Sequence, residues 1–295
     1  MKLRTICLVL SLFLFGATSF AVDKVIYGRD DRVELYATSS RYLDWARSTA
    51  AMISKRKLTE MFKDNWQITG GTLKDRNICA DERFTDQIAA ASCSGFLVAD
   101  DVMVTAGHCI QSMRDCKNSY WVFGFGIEDQ GSEEYKTVNF SNIYSCVKII
   151  ATKLDNYSKN DFAVIQLDRR VTGREPLKVR KSGAIRKGER LVVIGHPTGL
   201  PTKVADGARV RDASNDVFFV ANLDTFGGNS GSAVFNERTG LVEGILVRGE
   251  NDYESHDYRS CQVPKQCSNS GCRGEDVTKI TNIKELMDLL KRRRL

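Results

Sequence analysis

Three short segments carry the residue types that nucleophilic catalysis needs. Ser230 lies in the glycine-rich run 227–231 (GGNSG), His108 lies in 104–109 (VTAGHC), and Asp161 begins the apolar run 161–167 (DFAVIQL). A serine hydroxyl is a poor nucleophile until a base removes its proton, and a neutral imidazole can do this near neutral pH. A buried carboxylate can fix the tautomer of that imidazole and stabilise its protonated form. The residue types therefore predict acyl transfer, with Ser230 as nucleophile, His108 as base and Asp161 as the group that orients the base.

The glycines around Ser230 have a predicted role of their own. They allow a tight backbone turn in which the N–H groups of Gly228 and Ser230 converge. Converging donors of this kind form an oxyanion hole, and the loss of one donor costs about 3–4 kcal/mol. Gly231 leaves room beside the nucleophile for the backbone of a substrate.

Short apolar runs separated by turn residues surround these segments. The predicted strands are 95–98, 102–104, 120–123, 162–167, 191–194, 217–220, 232–235 and 241–247. Many short strands at this spacing are typical of a sandwich or a barrel.

Two helices are predicted at the ends of this β-rich region. Ser39 or Ser40 can cap the first helix, and a helical period of apolar residues continues to Phe62. That period is carried by Leu43, Ala46, Ala50, Ile53 and Met61. The second helix is expected from about Thr281, with an apolar face.

The segments around Ser230, His108 and Asp161 resemble the chymotrypsin-like serine peptidases, most closely their compact bacterial branch, the glutamyl endopeptidases (V8-like). The resemblance extends over roughly residues 90–250, with a similar start at 25–32. It implies an all-β fold of two antiparallel six-stranded β-barrels, here with an extra N-terminal helix and a C-terminal helix. Neither of the other histidines, His196 in a turn and His256 in a Cys-rich tail, has a family-like context.

The implied domain organisation has five parts. They are a signal peptide (1–21), an N-terminal segment with the amphipathic helix (22–67), a first barrel with His108 and Asp161 (68–180), a second barrel with Ser230 (181–250), and a Cys-rich loop with the C-terminal helix (251–295). The segment 22–67 is either a pro-segment or an integral part of the domain. A cleavage at Lys24–Val25 would suit a trypsin-like self-activation.

The resemblance also implies a specificity pocket. In trypsin-like enzymes the residue six before the nucleophile lies at the base of that pocket, and here it is Asp224, with Thr225 and Gly249 as further pocket residues. A buried carboxylate there selects Lys or Arg side chains, whereas the alternative is an ordinary turn aspartate. Glutamyl specialists carry a histidine where Leu246 lies, so glutamyl specificity is disfavoured. Arg248 keeps it as an alternative, because a guanidinium can bind an acidic side chain.

Two residues depart from the family pattern. Asn229 precedes the nucleophile and cannot form the ion pair that an aspartate there makes with a newly cleaved N-terminus. In addition, no serine occurs in 244–249 to support Asp161, as the chymotrypsin group has it. The support of Asp161 is therefore open at this stage.

The N-terminus and the cysteines indicate export. Lys2 and Arg4 precede an apolar run at 6–15 and a small-residue exit, so a secretory signal is expected to be cleaved near Ala21–Val22. Of nine cysteines, eight follow this point, and an even number predicts disulfides in an oxidising compartment. The resemblance implies a Cys93–Cys109 disulfide. The other pairings stay open, with Cys116–Cys146 and pairs among Cys261, Cys267 and Cys272 as candidates.

Composition excludes several other function classes. The net charge of +6 is mild for 295 residues, and the basic run 291–294 closes a helix, so no nucleic-acid partner is expected. No second apolar run is long enough for a membrane span. The cysteines lack the paired spacing of zinc sites, so neither a metal nor another cofactor is expected.

These observations predict a secreted or periplasmic serine endopeptidase that hydrolyses protein or peptide substrates through an acyl-enzyme, after Lys or Arg. Two alternatives remain open. One is a glutamyl-specific endopeptidase, and the other is a catalytically inert secreted binding module on the same fold. The presence of all three catalytic residue types disfavours the inert module.

Overall fold

The computed structural model describes residues 25–293. The predicted signal peptide 1–21, its cleavage point and Lys24 lie outside the described residues. The described chain is built mainly of strands, with three α-helices, Ser40–Ala46, Met113–Asn118 and Lys284–Arg293. No helix in this range is long and apolar enough to cross a membrane.

Six antiparallel strands close the first barrel. In spatial order they are Ile143–Leu154, Asp161–Leu167, Val102–Thr105, Ala91–Ala99, Thr49–Ser54 and Ser119–Phe123, with the last pairing back to the first. The central strands are apolar and buried along nearly their whole length, as in Val102–Thr105. Such continuous burial is expected where one face fills the barrel and the other packs against neighbouring elements.

The second barrel also has six antiparallel strands. Their order is Arg190–Gly195, Ala233–Asn236, Val242–Arg248, Glu275–Lys279, Phe218–Ala221 and Lys203–Asp212, which pairs back to Arg190–Gly195. The two-residue strand Arg32–Val33 adds to the outside of Lys203–Asp212. The predicted double barrel with an N-terminal and a C-terminal helix is confirmed.

One apolar cluster joins the two barrels and both terminal helices. It includes Phe96 from the first barrel, Phe235 from the second and Leu286 from the C-terminal helix, all fully buried. Trp45, in the N-terminal helix, stacks on Phe235 with ring centroids 4.5 Å apart. The barrels therefore share a core, which fixes the cleft between them.

The first helix is much shorter than its predicted extent. Ser39 caps it as predicted, with its side chain accepting the N–H of Tyr42, but the helix ends at Ala46. Residues Thr49–Ser54 instead form a strand of the first barrel. The predicted helix through Phe62 is wrong because Ala50 and Ile53 fit a helical period and a buried strand equally well.

Each barrel contains a strand from outside its predicted range. The first barrel takes Thr49–Ser54 from the segment 22–67, and the second takes Glu275–Lys279 from the region 251–295. Removal of the whole segment 22–67 would therefore take one strand out of the first barrel.

Three small sheets complete the structure. They are Ile26–Tyr27 parallel to Gln266–Cys267, Tyr253–Ser255 with Gln262–Pro264, and Leu58–Glu60 with Asn65–Ile68 and Thr137–Asn139. The first of them attaches the start of the described chain to the Cys-rich region beside the second barrel.

Candidate active site

His108 and Asp161 come from neighbouring elements of the first barrel. His108 lies in the short turn Gly107–Cys109, directly after the strand Val102–Thr105, and Asp161 begins the adjacent strand. The Asp161 carboxylate is 2.8 Å from His108 Nδ1 through Oδ2, and its Oδ1 accepts the backbone N–H of His108 at 3.0 Å. Because a carboxylate only accepts, Nδ1 carries the proton, and Nε2 is left with its lone pair, as a base requires.

Asp161 has a cationic neighbour that sequence reasoning did not assign to it. Its carboxylate is almost fully buried, and the Arg248 guanidinium lies 3.7 Å from Oδ2. Arg248 in turn donates from Nε to Asp276 at 3.1 Å and from Nη2 to the carbonyl of Lys159 at 3.1 Å. The segment 244–249, which has no serine, thus supplies Asp161 with a cationic neighbour instead.

The Ser230 turn packs directly against the strands that lead to His108. The Ser230 carbonyl accepts the N–H of Ser94 at 2.8 Å and lies 3.8 Å from Cys109 Sγ. A Cβ at Gly231 would lie 2.1 Å from the Ser94 carbonyl oxygen and 2.3 Å from Thr105 Oγ1, so only glycine fits there. Within the described range no Ser230 Oγ–His108 hydrogen bond is formed, a contact that often tightens only when substrate binds.

Two glycines of this turn have a backbone conformation that L side chains rarely adopt. Gly228 and Gly231 both have φ near +90°. The Gly228 carbonyl accepts from Ser94 Oγ at 2.8 Å, and this fixes the peptide that precedes Asn229. Within residues 25–293, no acceptor takes the backbone N–H of Gly228 or Ser230.

His196 is a structural residue. It is fully buried, donates from Nδ1 to the Leu200 carbonyl at 3.0 Å and stacks on Phe125. Burial lowers its pKa to about 3, so it is neutral near neutral pH. Its carbonyl oxygen would lie 2.6 Å from a Cβ at Gly228, which places His196 directly behind the glycine-rich turn.

A family model for the trypsin-like peptidase domain matches residues 93–245, more than half of the chain and the range that contains His108, Asp161 and Ser230. The chain belongs to the trypsin-like peptidase family. Among solved structures it is similar to a Glu endopeptidase in complex with MPD, at 17% identity and a TM-score of 0.54, over 91% of this chain and all of that one. A serine endoprotease from Yersinia pestis matches at 14% identity and a TM-score of 0.48, over 87% of this chain and 68% of that one. No curated protein matches.

Four disulfides use all eight cysteines that this trypsin-like peptidase has in residues 25–293. The pairs are Cys79–Cys261, Cys93–Cys109, Cys116–Cys146 and Cys267–Cys272. The implied Cys93–Cys109 pair is therefore present, and it joins the His108 turn to the strand beside Ser230. His108 lies close to both of its sulfur atoms, but disulfide sulfur supplies no thiolate, so this group is not a metal site.

The three predicted pocket residues of this peptidase lie in one region of the structure. Within that region, both carboxylate oxygens of Asp224 are occupied by hydrogen bonds from backbone N–H groups. Asp224 is almost fully buried, and its two oxygens accept the backbone N–H groups of Tyr27 at 2.6 Å and Asp31 at 2.8 Å. Burial raises the pKa of Asp224 to about 7, against the lowering effect of the two N–H donors. Thr225 is fully buried, and its N–H donates to the Val25 carbonyl at 3.2 Å.

Proposed function

We propose that this trypsin-like peptidase is a secreted serine endopeptidase that cleaves peptide bonds after Lys or Arg through an acyl-enzyme. The observation that carries the proposal is the His108–Asp161 hydrogen bond beside the docked Ser230 turn. A base of fixed tautomer, a serine in a glycine-rich turn and two converging N–H donors are the parts that acyl transfer uses.

The proposed reaction has two halves. His108 Nε2 takes the proton of Ser230 Oγ as that oxygen attacks the substrate carbonyl, and the N–H groups of Gly228 and Ser230 bind the oxyanion. The imidazolium then protonates the leaving amine, and the C–N bond breaks. In the second half His108 takes a proton from water, the hydroxide attacks the ester, and Ser230 Oγ leaves with the proton.

The cysteines support the proposed export. Every cysteine in the described range is paired, and disulfides persist in oxidising compartments. This agrees with the secretory signal predicted at 1–21. The proposed location is therefore extracellular or periplasmic.

The proposed function is tested with the purified chain and its Ser230→Ala variant. The wild type is expected to react with a fluorophosphonate and to hydrolyse arginyl and lysyl chromogenic peptides. Ser230→Ala is expected to lose labelling and at least about a thousandfold in kcat. Neither labelling nor turnover by a folded wild type would make the inert binding module the better description, and turnover only after Glu would favour the glutamyl alternative.

A further inference from the structure

The peptide between Gly227 and Gly228 carries one of the two N–H groups that the proposed mechanism uses, that of Gly228. Neither residue has a side chain, so nothing within these two residues restrains the rotation of this peptide. Because the peptide is trans, its carbonyl and its N–H point in opposite directions. Whatever binds the Gly227 carbonyl therefore also fixes the direction of the Gly228 N–H.

Both backbone polar groups of Gly227 are held from outside the turn. Its N–H donates to Asp252 Oδ2 at 2.8 Å, and its carbonyl accepts the N–H of Thr198 at 2.5 Å. These two bonds restrain the peptides on either side of Gly227, including the peptide that it shares with Gly228. The most rotatable part of the turn is thus held by contacts from two other segments.

Thr198 itself is held in an uncommon backbone conformation. Its φ of 54° lies in the left-handed region, which β-branched residues rarely adopt and keep only where their surroundings hold them. Its Oγ1 lies 2.8 Å from Tyr253 Oη, and Arg76 donates from Nη1 to its carbonyl at 2.9 Å. The Tyr253 ring also packs on Phe226, with centroids 5.3 Å apart. Tyr253 therefore supports the donor that binds the Gly227 carbonyl.

The Cys-rich region holds Asp252 and Tyr253 in place. Lys265 donates its N–H to the Asp252 carbonyl at 3.0 Å, and Tyr253 begins a strand that pairs with Gln262–Pro264. The Cys79–Cys261 disulfide joins the start of that second strand to the segment that precedes the barrel strand at 91–99. A region for which the sequence indicated no role thus ends in direct contact with the glycine-rich turn.

Resting on the proposed peptidase function, we propose that Asp252 is a positioning residue, which together with Tyr253 holds the Gly227–Gly228 peptide so that the Gly228 N–H faces the oxyanion. Asp252 acts through Gly227, and this role depends only on the bond at Oδ2. An oxyanion hole is effective because its donors are in place before the reaction begins. Loss of the restraint should therefore weaken transition-state stabilisation more than substrate binding.

The test compares Asp252→Ala with Asp252→Asn on one peptide substrate. Asp252→Ala leaves the Gly227 N–H without its acceptor, so kcat should fall about tenfold or more while KM stays within about twofold. The rate of fluorophosphonate labelling should fall by a similar factor, because the phosphoryl oxygen uses the same two donors. Asp252→Asn keeps an acceptor oxygen and should retain most of the wild-type kcat.

Glu254→Ala is the matched control, because it removes an exposed acidic side chain two residues further along the chain. It should match the wild type in both measurements. Wild-type kcat and labelling rate in Asp252→Ala would overturn the proposal. Equal losses in Asp252→Ala and Asp252→Asn would also overturn it, because they would assign the effect to the charge of the carboxylate.

Tyr253→Phe tests the carbonyl side of the same peptide and replaces Asp252→Ala if that variant does not fold. It removes only the hydroxyl next to Thr198 Oγ1, and kcat should fall about threefold or more with little change in KM. Adding Thr198→Val should cause little further loss, because both changes remove the same hydrogen bond. Wild-type kcat in Tyr253→Phe, or losses that add fully in the double variant, would overturn the proposal.

Hydrogen exchange separates this inference from the proposed function, because it needs no catalysis. In the Ser230→Ala background, Asp252→Ala should raise the exchange rate of the Gly227 amide about tenfold or more, whereas the strand Val102–Thr105 should exchange as before. Unchanged exchange at Gly227 would overturn the inference even in an active peptidase. Wild-type protein that neither labels nor hydrolyses any peptide would remove the proposed function, and the exchange rate would still decide whether Asp252 holds the turn.

Discussion

At the scale of single residues, Arg248 places a positive charge beside the Asp161 carboxylate, a contact that the sequence did not indicate. A guanidinium 3.7 Å from a buried carboxylate stabilises its charge. The same cation opposes the positive charge that His108 gains when it takes the serine proton. Arg248 is held by Asp276, which also bonds Arg273 at 2.5 Å, so the charges form a chain that ends at Asp161.

The first prediction is that Arg248→Met slows catalysis. Without the guanidinium the buried Asp161 carboxylate loses its cationic neighbour, so it is held less firmly against His108. kcat should fall several-fold with little change in KM. The measurement is kcat and KM for one arginyl peptide.

Arg248→Lys is the matched control for this prediction. It keeps the positive charge but not the fork that reaches Asp276 and Lys159, so it should keep most of the wild-type kcat. An equal loss of kcat in Arg248→Met and Arg248→Lys would mean that the shape of the guanidinium, and not its charge, supports Asp161.

At the scale of elements, apolar runs predicted eight of the twelve barrel strands. The four that were missed are Thr49–Ser54, Ile143–Leu154, Lys203–Asp212 and Glu275–Lys279. Three of these mix charged and apolar residues, and the fourth has a period compatible with a helix. A pattern based on polarity alone cannot identify such strands. Lys203, for example, is buried because it pairs with Glu34, which lies far away in the sequence.

The candidate site, like the strands, was predictable from the sequence only in part. His108, Asp161, Ser230 and the glycine turn stand in local patterns whose chemistry is readable from the residues. Arg248 carries no such pattern, because its partner Asp161 lies far away in sequence. Only the closed second barrel brings Arg248 to Asp161.

The turn that begins at His196 gives the second prediction, an acid sensitivity of folding. His196 is buried and neutral, with a pKa lowered to about 3, whereas an unfolded histidine has a pKa of about 6.5. Between these values the unfolded chain binds the additional proton, so stability is lost as the pH falls from about 6.5 toward 3. His196→Gln should reduce this slope by up to about 1.4 kcal/mol per pH unit, measured by denaturant unfolding at several pH values.

His256→Gln is the control for the His196 variant, because this histidine lies in the loop between the strands Tyr253–Ser255 and Gln262–Pro264. It should leave the slope as in the wild type. Equal slopes for the wild type and His196→Gln would mean that the buried imidazole can be protonated within the fold.

At the scale of the whole molecule, the first thirty described residues connect the two barrels. Ile26–Tyr27 and Arg32–Val33 lie on the second barrel side, and Thr49–Ser54 belongs to the first barrel. The buried Arg32 guanidinium pairs with Asp30 and lies 4.2 Å from the Phe226 ring centroid. This course connects the two barrels by a second route, in addition to their shared core.

The last prediction concerns Asp224 as the anchor of this segment. Its pKa in the folded state, about 7, lies above the unfolded value near 3.9, so the folded protein holds a proton on Asp224 across the window between them. Stability from this group is complete below about pH 4 and is lost as the pH rises through 7. Asp224→Asn removes this pH dependence, so its stability relative to the parent should rise by a few kcal/mol between about pH 4 and pH 8. Below pH 4 the variant should be the less stable of the two by about 1–3 kcal/mol, because its amide NH2 replaces one of the two oxygens that accept the N–H groups of Tyr27 and Asp31.

The measurement is the unfolding free energy of both proteins across this range, in the Ser230→Ala background so that self-digestion cannot contribute. Asp257→Asn, at an exposed position, should track the parent at every pH. A difference between Asp224→Asn and the parent that does not change with pH would mean that the carboxylate is ionised throughout. In that case the N–H groups of Tyr27 and Asp31 outweigh burial, and the segment 25–31 is attached by charge-assisted hydrogen bonds.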